Sequence, residues 1–173
     1  SIGGKNGIDV GLYKNMVGLI RQPQFLVYDV GFLQSLPKHQ WENGFAEIIK
    51  HAAIKDAAMM KELAAHDIAY YQKNKKALAA LIEKNVQIKV KVVQKDEFEK
   101  GDRKLLNFGH TLGHAIENEH ALLHGHAISI GMVYAAKISQ VLHDFNGGGL
   151  LGKHFKSMAY LPLCTLILTV RWN

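Results

Sequence analysis

The sequence predicts a mainly α-helical domain behind a loop-rich lead-in that carries one short strand. Three observations predict it. From Gln40 onward, apolar residues recur at helical spacing almost without interruption. Before that point Gly, Asn and Lys dominate, and only residues 24–29 (QFLVYD) form a short apolar run with strand character. Beyond residue 146 the pattern stops, and the last residues are apolar and β-branched. The expected boundaries are a lead-in over 1–39, helices over 40–146 and an atypical apolar tail over 147–173.

Each element follows from its local pattern. Residues 1–24 read as loops, in which GGKNG and GLYKN offer backbone N–H groups and ammonium groups suited to anions. Residues 31–37 are a connection. The helix that follows puts Phe45, Ile48, Ile49, Ala52 and Ala53 on one stripe. Residues 56–71 continue helically with Asp56 as N-cap. Residues 76–93 repeat Leu78, Leu81, Ile82, Val86 and Ile88 and read as one long helix, with Val90, Val92 and Val93 raising a strand alternative. DEFEKGDR is a polar turn, and 106–120 and 124–144 read as two further helices.

Composition narrows the function classes. The chain has 173 residues, is 48% hydrophobic and carries 21 Lys+Arg against 15 Asp+Glu, a formal charge of +6. That balance suits an anionic partner. No basic run is interleaved with aromatics, which disfavours nucleic acid. A single cysteine, Cys164, rules out a disulfide framework within the chain and fits a reducing cytoplasm. The most apolar segment, residues 161–170, is too short to span a bilayer, so no membrane role is expected. The opening SIGGKNG has no Met and reads as a start inside a longer protein.

The chemistry concentrates in RKLLNFGHTLGHAIENEHALLHGH, where five of the ten histidines fall between His110 and His126. His110 and His114 lie four apart, on one face of a helix. Zinc uses such pairs, although Thr111 stands where a zincin motif needs Glu. Packed or surface histidines remain the alternative for an isolated pair. His124-Gly125-His126 adds a second group just before a helix, where Gly125 marks a close approach and the helix N-terminus keeps an imidazole neutral. One of these two rings is expected to share a centre with His110. A carboxylate would complete a three-ligand site, and spacing leaves Glu47, Glu97, Glu99, Glu117 and Glu119 all open. Glu47 and Lys50, three apart on an apolar helix, read either as a surface ion pair or as an inward-facing ligand beside a lysine. Arg103 suits bidentate recognition of carboxylate or phosphate. Lys5, Lys14, Lys50 and Lys89 are scattered in sequence but could converge.

Together these residues resemble the 3-dehydroquinate synthases. SIGGKNG, YKNMVGLIRQP, FLQSLP, GFAEIIKHAAI, KVKVVQKDEFEKGDRKLLNFGHTLGHAIE and LLHGHAISIGMVYAAKIS occur in the family's order over about residues 1–145. The resemblance implies the helical metal- and substrate-binding domain of that fold, as a fragment without the family's N-terminal NAD-binding domain. No GxGxxG follows a strand here.

By that resemblance Glu47, His110 and His124 are the ligands of Zn2+ or Co2+. His126, where the family usually has Glu, stands just behind them. Arg103 and Lys89 would bind the substrate carboxylate, Lys5, Asn107 and His114 the phosphate, and Lys50 and Asn15 the hydroxyls. His114 would also handle a proton near the reacting hydroxyl, with Lys50, Arg103 and Asn107 beside it in catalysis. Ser35, Lys5 and Lys14 are candidate NAD contacts. The implied substrate is 3-deoxy-D-arabino-heptulosonate 7-phosphate, and the implied product is 3-dehydroquinate, on the shikimate route to aromatic amino acids. The implied reaction is redox-assisted: NAD takes and later returns a hydride, phosphate leaves in between, and an intramolecular aldol step closes the ring. A homodimer is implied for the full-length protein. Other sugar-phosphate cyclases, or an inactive metal-binding remnant, are the competing readings.

Overall fold

Asp56, Asp67 and Asn74 explain where three helices begin. Each side chain accepts a hydrogen bond from a backbone N–H three residues on, at Met59, Tyr70 and Ala77. The computed structural model describes residues 2–11 and 13–143, with side chains apart from those of residues 9, 13–15 and 143. The expectations for Lys14, Asn15 and the tail 147–173 lie outside that description. The helices are α1 (Lys38–Lys55), α2 (Ala57–Ala65), α3 (Ile68–Lys73), α4 (Lys75–Lys95), α5 (His110–His120) and α6 (His124–His143). None is long and apolar enough to cross a membrane.

The mainly helical expectation holds, with three corrections. First, the lead-in is not all loop. Strands β1 (Lys5–Val10) and β2 (Tyr13–Ile20) pair antiparallel, with Lys5 opposite Ile20 and Ile8 opposite Val17. Gly11, at φ +61°, makes the turn, and the apolar residues of YKNMVGLI supply strand propensity that Gly, Asn and Lys obscure. Second, residues 24–29 are not a strand. Phe25 and Val27 are 76% and 82% exposed, and among the described residues no partner strand meets them. Third, the segment before His110 is broken. Asp102–Asn107 is a 3-10 turn, and Gly109 at φ +79° separates it from α5. The polypeptide also breaks at His66, between α2 and α3. Residues 75–95 are one helix, so the strand alternative there fails. Val30–Ser35 is a 3-10 turn that seats Leu33 and Leu36 against the core.

The core lies where α1 meets α2, α4 and α6. Phe45, Ile49, Leu63, Tyr71, Leu81, Ile128 and Met132 are fully buried there, as the stripe over α1 leads one to expect, except that Ala53 faces out. Two glycine contacts bring the site together. Gly125, in the first turn of α6, rests on Asn43 of α1 and donates its N–H to Asn43 Oδ1 at 2.5 Å. This close approach delivers His124 to α1. Gly131 of α6 lies directly against the Gly109 carbonyl at the entry to α5. A methyl group at Gly131 would fall on that backbone oxygen, which cannot swing aside as a side-chain tip would. Gly131→Ala is therefore expected to destabilise the domain by about 2 kcal/mol or more, read as a lower urea midpoint by far-ultraviolet circular dichroism. An unchanged midpoint would mean that α5 and α6 do not cross here.

Candidate metal centre and substrate cleft

Glu47, in the middle of α1, points one carboxylate oxygen at each of two tasks. Oε2 accepts from Lys50 Nζ at 2.7 Å. Oε1 is buried with no hydrogen-bond partner. It faces His110 Nε2 at 3.6 Å and His124 Nε2 at 3.8 Å. His110 and His124 are the first residues of α5 and α6, so two helix starts and one helix middle converge. The other ring nitrogens are occupied. His110 Nδ1 lies 3.2 Å from the Phe108 carbonyl, and His124 Nδ1 lies 3.2 Å from Glu117 Oε2. With each ring proton on Nδ1, both Nε2 lone pairs would face the Glu47 oxygen.

This arrangement fits a divalent metal. Tetrahedral zinc with donors near 2.1 Å separates its ligand atoms by about 3.4 Å. The observed separations of 3.6 and 3.8 Å need only a small contraction. An orphaned buried carboxylate oxygen costs free energy unless a cation meets it. Of the five carboxylates left open by sequence, two stand in a three-donor group, Glu47 with His110 and His124 and Glu117 with His114 and His124. Glu97 instead bonds Gln22, Glu99 sits among cations, Glu117 bonds His124, and Glu119 is largely exposed beside His120.

Electrostatics divide the two imidazoles. Burial is the largest influence on Glu47 and would raise its pKa, but His124, Lys50 and His110 together hold it well below the usual carboxylate range. Burial pushes His110 down to about 4, with Lys50 adding to the effect, so this ring is neutral. His124 moves the other way. Glu47 raises its pKa, burial opposes, and Glu117 adds to the rise. The helix N-terminus favours a neutral His124, and the two carboxylates act against it. His126 faces Glu42 on α1 at 3.7 Å and takes no place among the donors.

Beside the donors opens a cleft of about 280 Å3, lined by Lys5, Lys50, Lys89, Glu99, Arg103 and Asn107 among others. The scattered cations do converge. Lys50, only 3% exposed, is a buried partner of Glu47 and not a surface ion pair; burial lowers its pKa, and Glu47 opposes that. Arg103, also 3% exposed, donates Nη2 to the Gly3 carbonyl at 2.9 Å and Nη1 to the Glu97 carbonyl. It thereby ties the lead-in to the helical half. Lys5 pairs with Glu99, and Asn107 Nδ2 donates to the same carboxylate at 2.6 Å. His114 stands beside both donor rings, with centroids 5.2 Å from His110 and 5.8 Å from His124, outside the cleft lining. Ser35 does not reach the cleft. Its 3-10 turn turns Leu33 and Leu36 inward, which leaves Ser35 exposed.

Among four further site residues, Asn43 and His51 carry no sequence-based role, and Glu99 and Glu117 only that of an open candidate for the metal carboxylate. Glu99 gathers Lys5 and Asn107, and Asn43 seats Gly125. Glu117 continues the 110–114 stripe by three more residues, a spacing that places it on the same helix face. His51, buried beside Lys50, presents Nδ1 to Asn85 Oδ1 at 2.7 Å, while Nε2 lies 4.0 Å from Glu47 Oε2.

Fold and donor set define a class: a helical domain with a candidate metal centre beside a cation-lined cleft. A 2-epi-5-epi-valiolone synthase from Streptomyces hygroscopicus, solved with NAD+ and Zn2+ bound, superposes with a TM-score of 0.78 at 28% identity over 96% of this chain and 49% of its own. A 2-deoxy-scyllo-inosose synthase complexed with carbaglucose-6-phosphate, NAD+ and Co2+ also gives 0.78, at 27% identity over 92% of this chain and 45% of its own. The family model for the 3-dehydroquinate synthase C-terminal region matches residues 44–162, and that for the N-terminal region matches residues 1–43. This chain belongs to the 3-dehydroquinate synthase family. Among curated members, the 3-dehydroquinate synthase of Geobacillus kaustophilus is 46% identical over 81% of this chain and 39% of its own length. That of Geobacillus thermodenitrificans is 44% identical over 83% and 40%. The chain spans about two fifths of the length of the curated relatives it matches.

His51 yields a pH prediction. Burial, then Lys50, lower its pKa to about 4. An unfolded histidine titrates near 6.5. Between pH 6.5 and 5 the unfolded chain binds a proton that folded His51 refuses, so stability falls as pH falls, by at most about 1.4 kcal/mol per pH unit for one group. His110 acts in the same direction and remains in both proteins. The urea midpoint of metal-free protein is expected to fall more steeply over this range than that of His51→Gln. Equal slopes would show that His51 does not carry this dependence.

Proposed function

We propose that this chain supplies the metal- and substrate-binding half of a 3-dehydroquinate synthase, which converts 3-deoxy-D-arabino-heptulosonate 7-phosphate to 3-dehydroquinate and phosphate. One observation carries the reading: Lys5, Lys50, Lys89 and Arg103 line one small cleft with the Glu47, His110 and His124 donors. A substrate with a carboxylate and a phosphate matches that charge. The cofactors of this reading are NAD and a divalent cation, Zn2+ or Co2+. The bound cation supplies Lewis acidity toward a substrate hydroxyl, and NAD takes and returns a hydride.

The chain's own groups do the rest. Arg103, fixed by two backbone carbonyls, and Lys89 hold the carboxylate end. Lys5 and Asn107 exchange Glu99 for the phosphate when substrate enters, so that neither is left without an acceptor when the cleft is empty. Lys50 keeps Glu47 ionised and meets a substrate hydroxyl, with Asn15 as its proposed companion. His114, next to both donor rings, takes the proton from the reacting hydroxyl. Fixing a flexible, doubly charged chain in this cleft supplies orientation and screens the departing phosphate. The same reading makes the working enzyme a cytoplasmic homodimer.

The solved cyclases favour a second reading, in which the ligand is a sugar phosphate without a carboxylate. Arg103 and Lys89 would then have no acid to meet.

Metal content and ligand binding test the proposal. The protein is expected to bind about one Zn2+ per chain, and Glu47→Gln or His110→Ala to lose it. Absence of metal in the parent protein would overturn the centre. Lys89→Met should keep the metal and weaken calorimetric binding of the sugar-acid phosphate about tenfold. Glucose 6-phosphate binding as tightly as the sugar acid would favour the second reading.

A further inference from the structure

We propose that Glu117 is the positioning residue of the metal centre, acting through His124. It rests on the metal-site reading above and extends it to a residue behind the ligands. His110 and His124 use the same arrangement with different acceptors. The Phe108 carbonyl faces His110 Nδ1, and the Glu117 carboxylate faces His124 Nδ1, each at 3.2 Å. A main-chain carbonyl locked by the fold can only accept, so it fixes the Nδ1–H form of His110. Glu117 does the same for His124 with a side chain. An imidazole carries its proton on one ring nitrogen or the other, and only the Nδ1–H form leaves Nε2 free toward Glu47 Oε1, 3.8 Å away.

The location supports the assignment. Glu117 is only 14% exposed, and His124 is 39% exposed. A half-open ring at the start of α6 would otherwise rotate or present its proton to the metal position. Glu117 sits seven residues after His110 and three after His114 on α5, so the helix that delivers one ligand also orients the second. This couples α5 to α6 through the site itself. Partners of metal-bound histidines of this type alter metal affinity by 10–100-fold when removed.

A second arrangement competes. His114, Glu117 and His124 also bring donor atoms within 4.8 Å of one another and could ligate an ion directly. Filling both triads at once would make His124 bridge two ions through its two ring nitrogens, which requires the ring to lose both protons. A single neutral ring bonded to Glu117 avoids that cost.

The test uses the full chain and Co2+ alone as probe, with affinity measured by chelator competition and the visible Co2+ spectrum. Glu117→Ala is expected to bind Co2+ 10–100-fold more weakly at unchanged stoichiometry of about one. Glu117→Gln keeps an acceptor and should lose much less. Nitrogen-15 spectra of the metal-free protein add a readout that mere folding would not move. His124 should be in the Nδ1–H form in the parent and shift toward Nε2–H in Glu117→Ala. Equal Co2+ affinity in parent and Glu117→Ala, or an unchanged tautomer, overturns the role of Glu117 while leaving the centre intact. Two Co2+ per chain falling to one in Glu117→Ala overturns it in favour of a second ion. No Co2+ binding by the parent overturns the centre and the proposal together.

Discussion

One carboxylate holds this domain's function together. Glu47 lies in a buried helix where an isolated charge would be costly, and the structure answers on both oxygens. Lys50, three residues on, satisfies one of them from within the same helix. The other is left for two imidazoles that arrive from elsewhere in the chain. Everything that brings those rings in depends on helix starts. α6 must rest on α1 at Asn43, and α5 must turn sharply at Gly109 against Gly131. The donor set is therefore a report on three-helix packing: a shift of about an ångström at either glycine contact would open it.

Much of this was legible in the sequence. The α1 stripe, the Asp56 cap, the long α4 and the closely spaced histidines follow from period and chemistry within one segment. Convergence of distant side chains is not a local property. Spacing alone left five carboxylates open, and only the family resemblance singled out Glu47 in advance. Charge state was harder still. A helix start argues for a lowered His124 pKa, yet Glu47 and Glu117, distant in sequence, push it up. The lead-in misled for a different reason. Gly, Asn and Lys argue for loop, but pairing between β1 and β2 is decided by backbone bonds across a turn. Residues 24–29 have strand composition but, among the described residues, no partner strand, and composition cannot supply one.

The cleft is prepared for anions by groups that already pair with one another. Glu99 gathers Lys5 and Asn107, and backbone carbonyls hold the Arg103 guanidinium. Cations arranged this way stay in place without a ligand and need little reordering when one arrives, which lowers the entropic cost of binding. Arg103 has a second duty. Its bond to Gly3 fastens the lead-in to the helices, so the lining of the cleft and the placement of β1 share one side chain.

The lead-in has its own consequence. Ile8, Val10, Met16, Val17, Leu19 and Ile20 on the hairpin, and Phe25, Val27 and Phe32 beyond it, all stand open to solvent. Among the described residues, no further strand pairs with either edge of this two-stranded ribbon. Unroofed aliphatic side chains beside bare strand edges are adhesive in water. The described ribbon therefore keeps apolar side chains and backbone hydrogen-bonding groups that only a neighbouring segment or chain would cover.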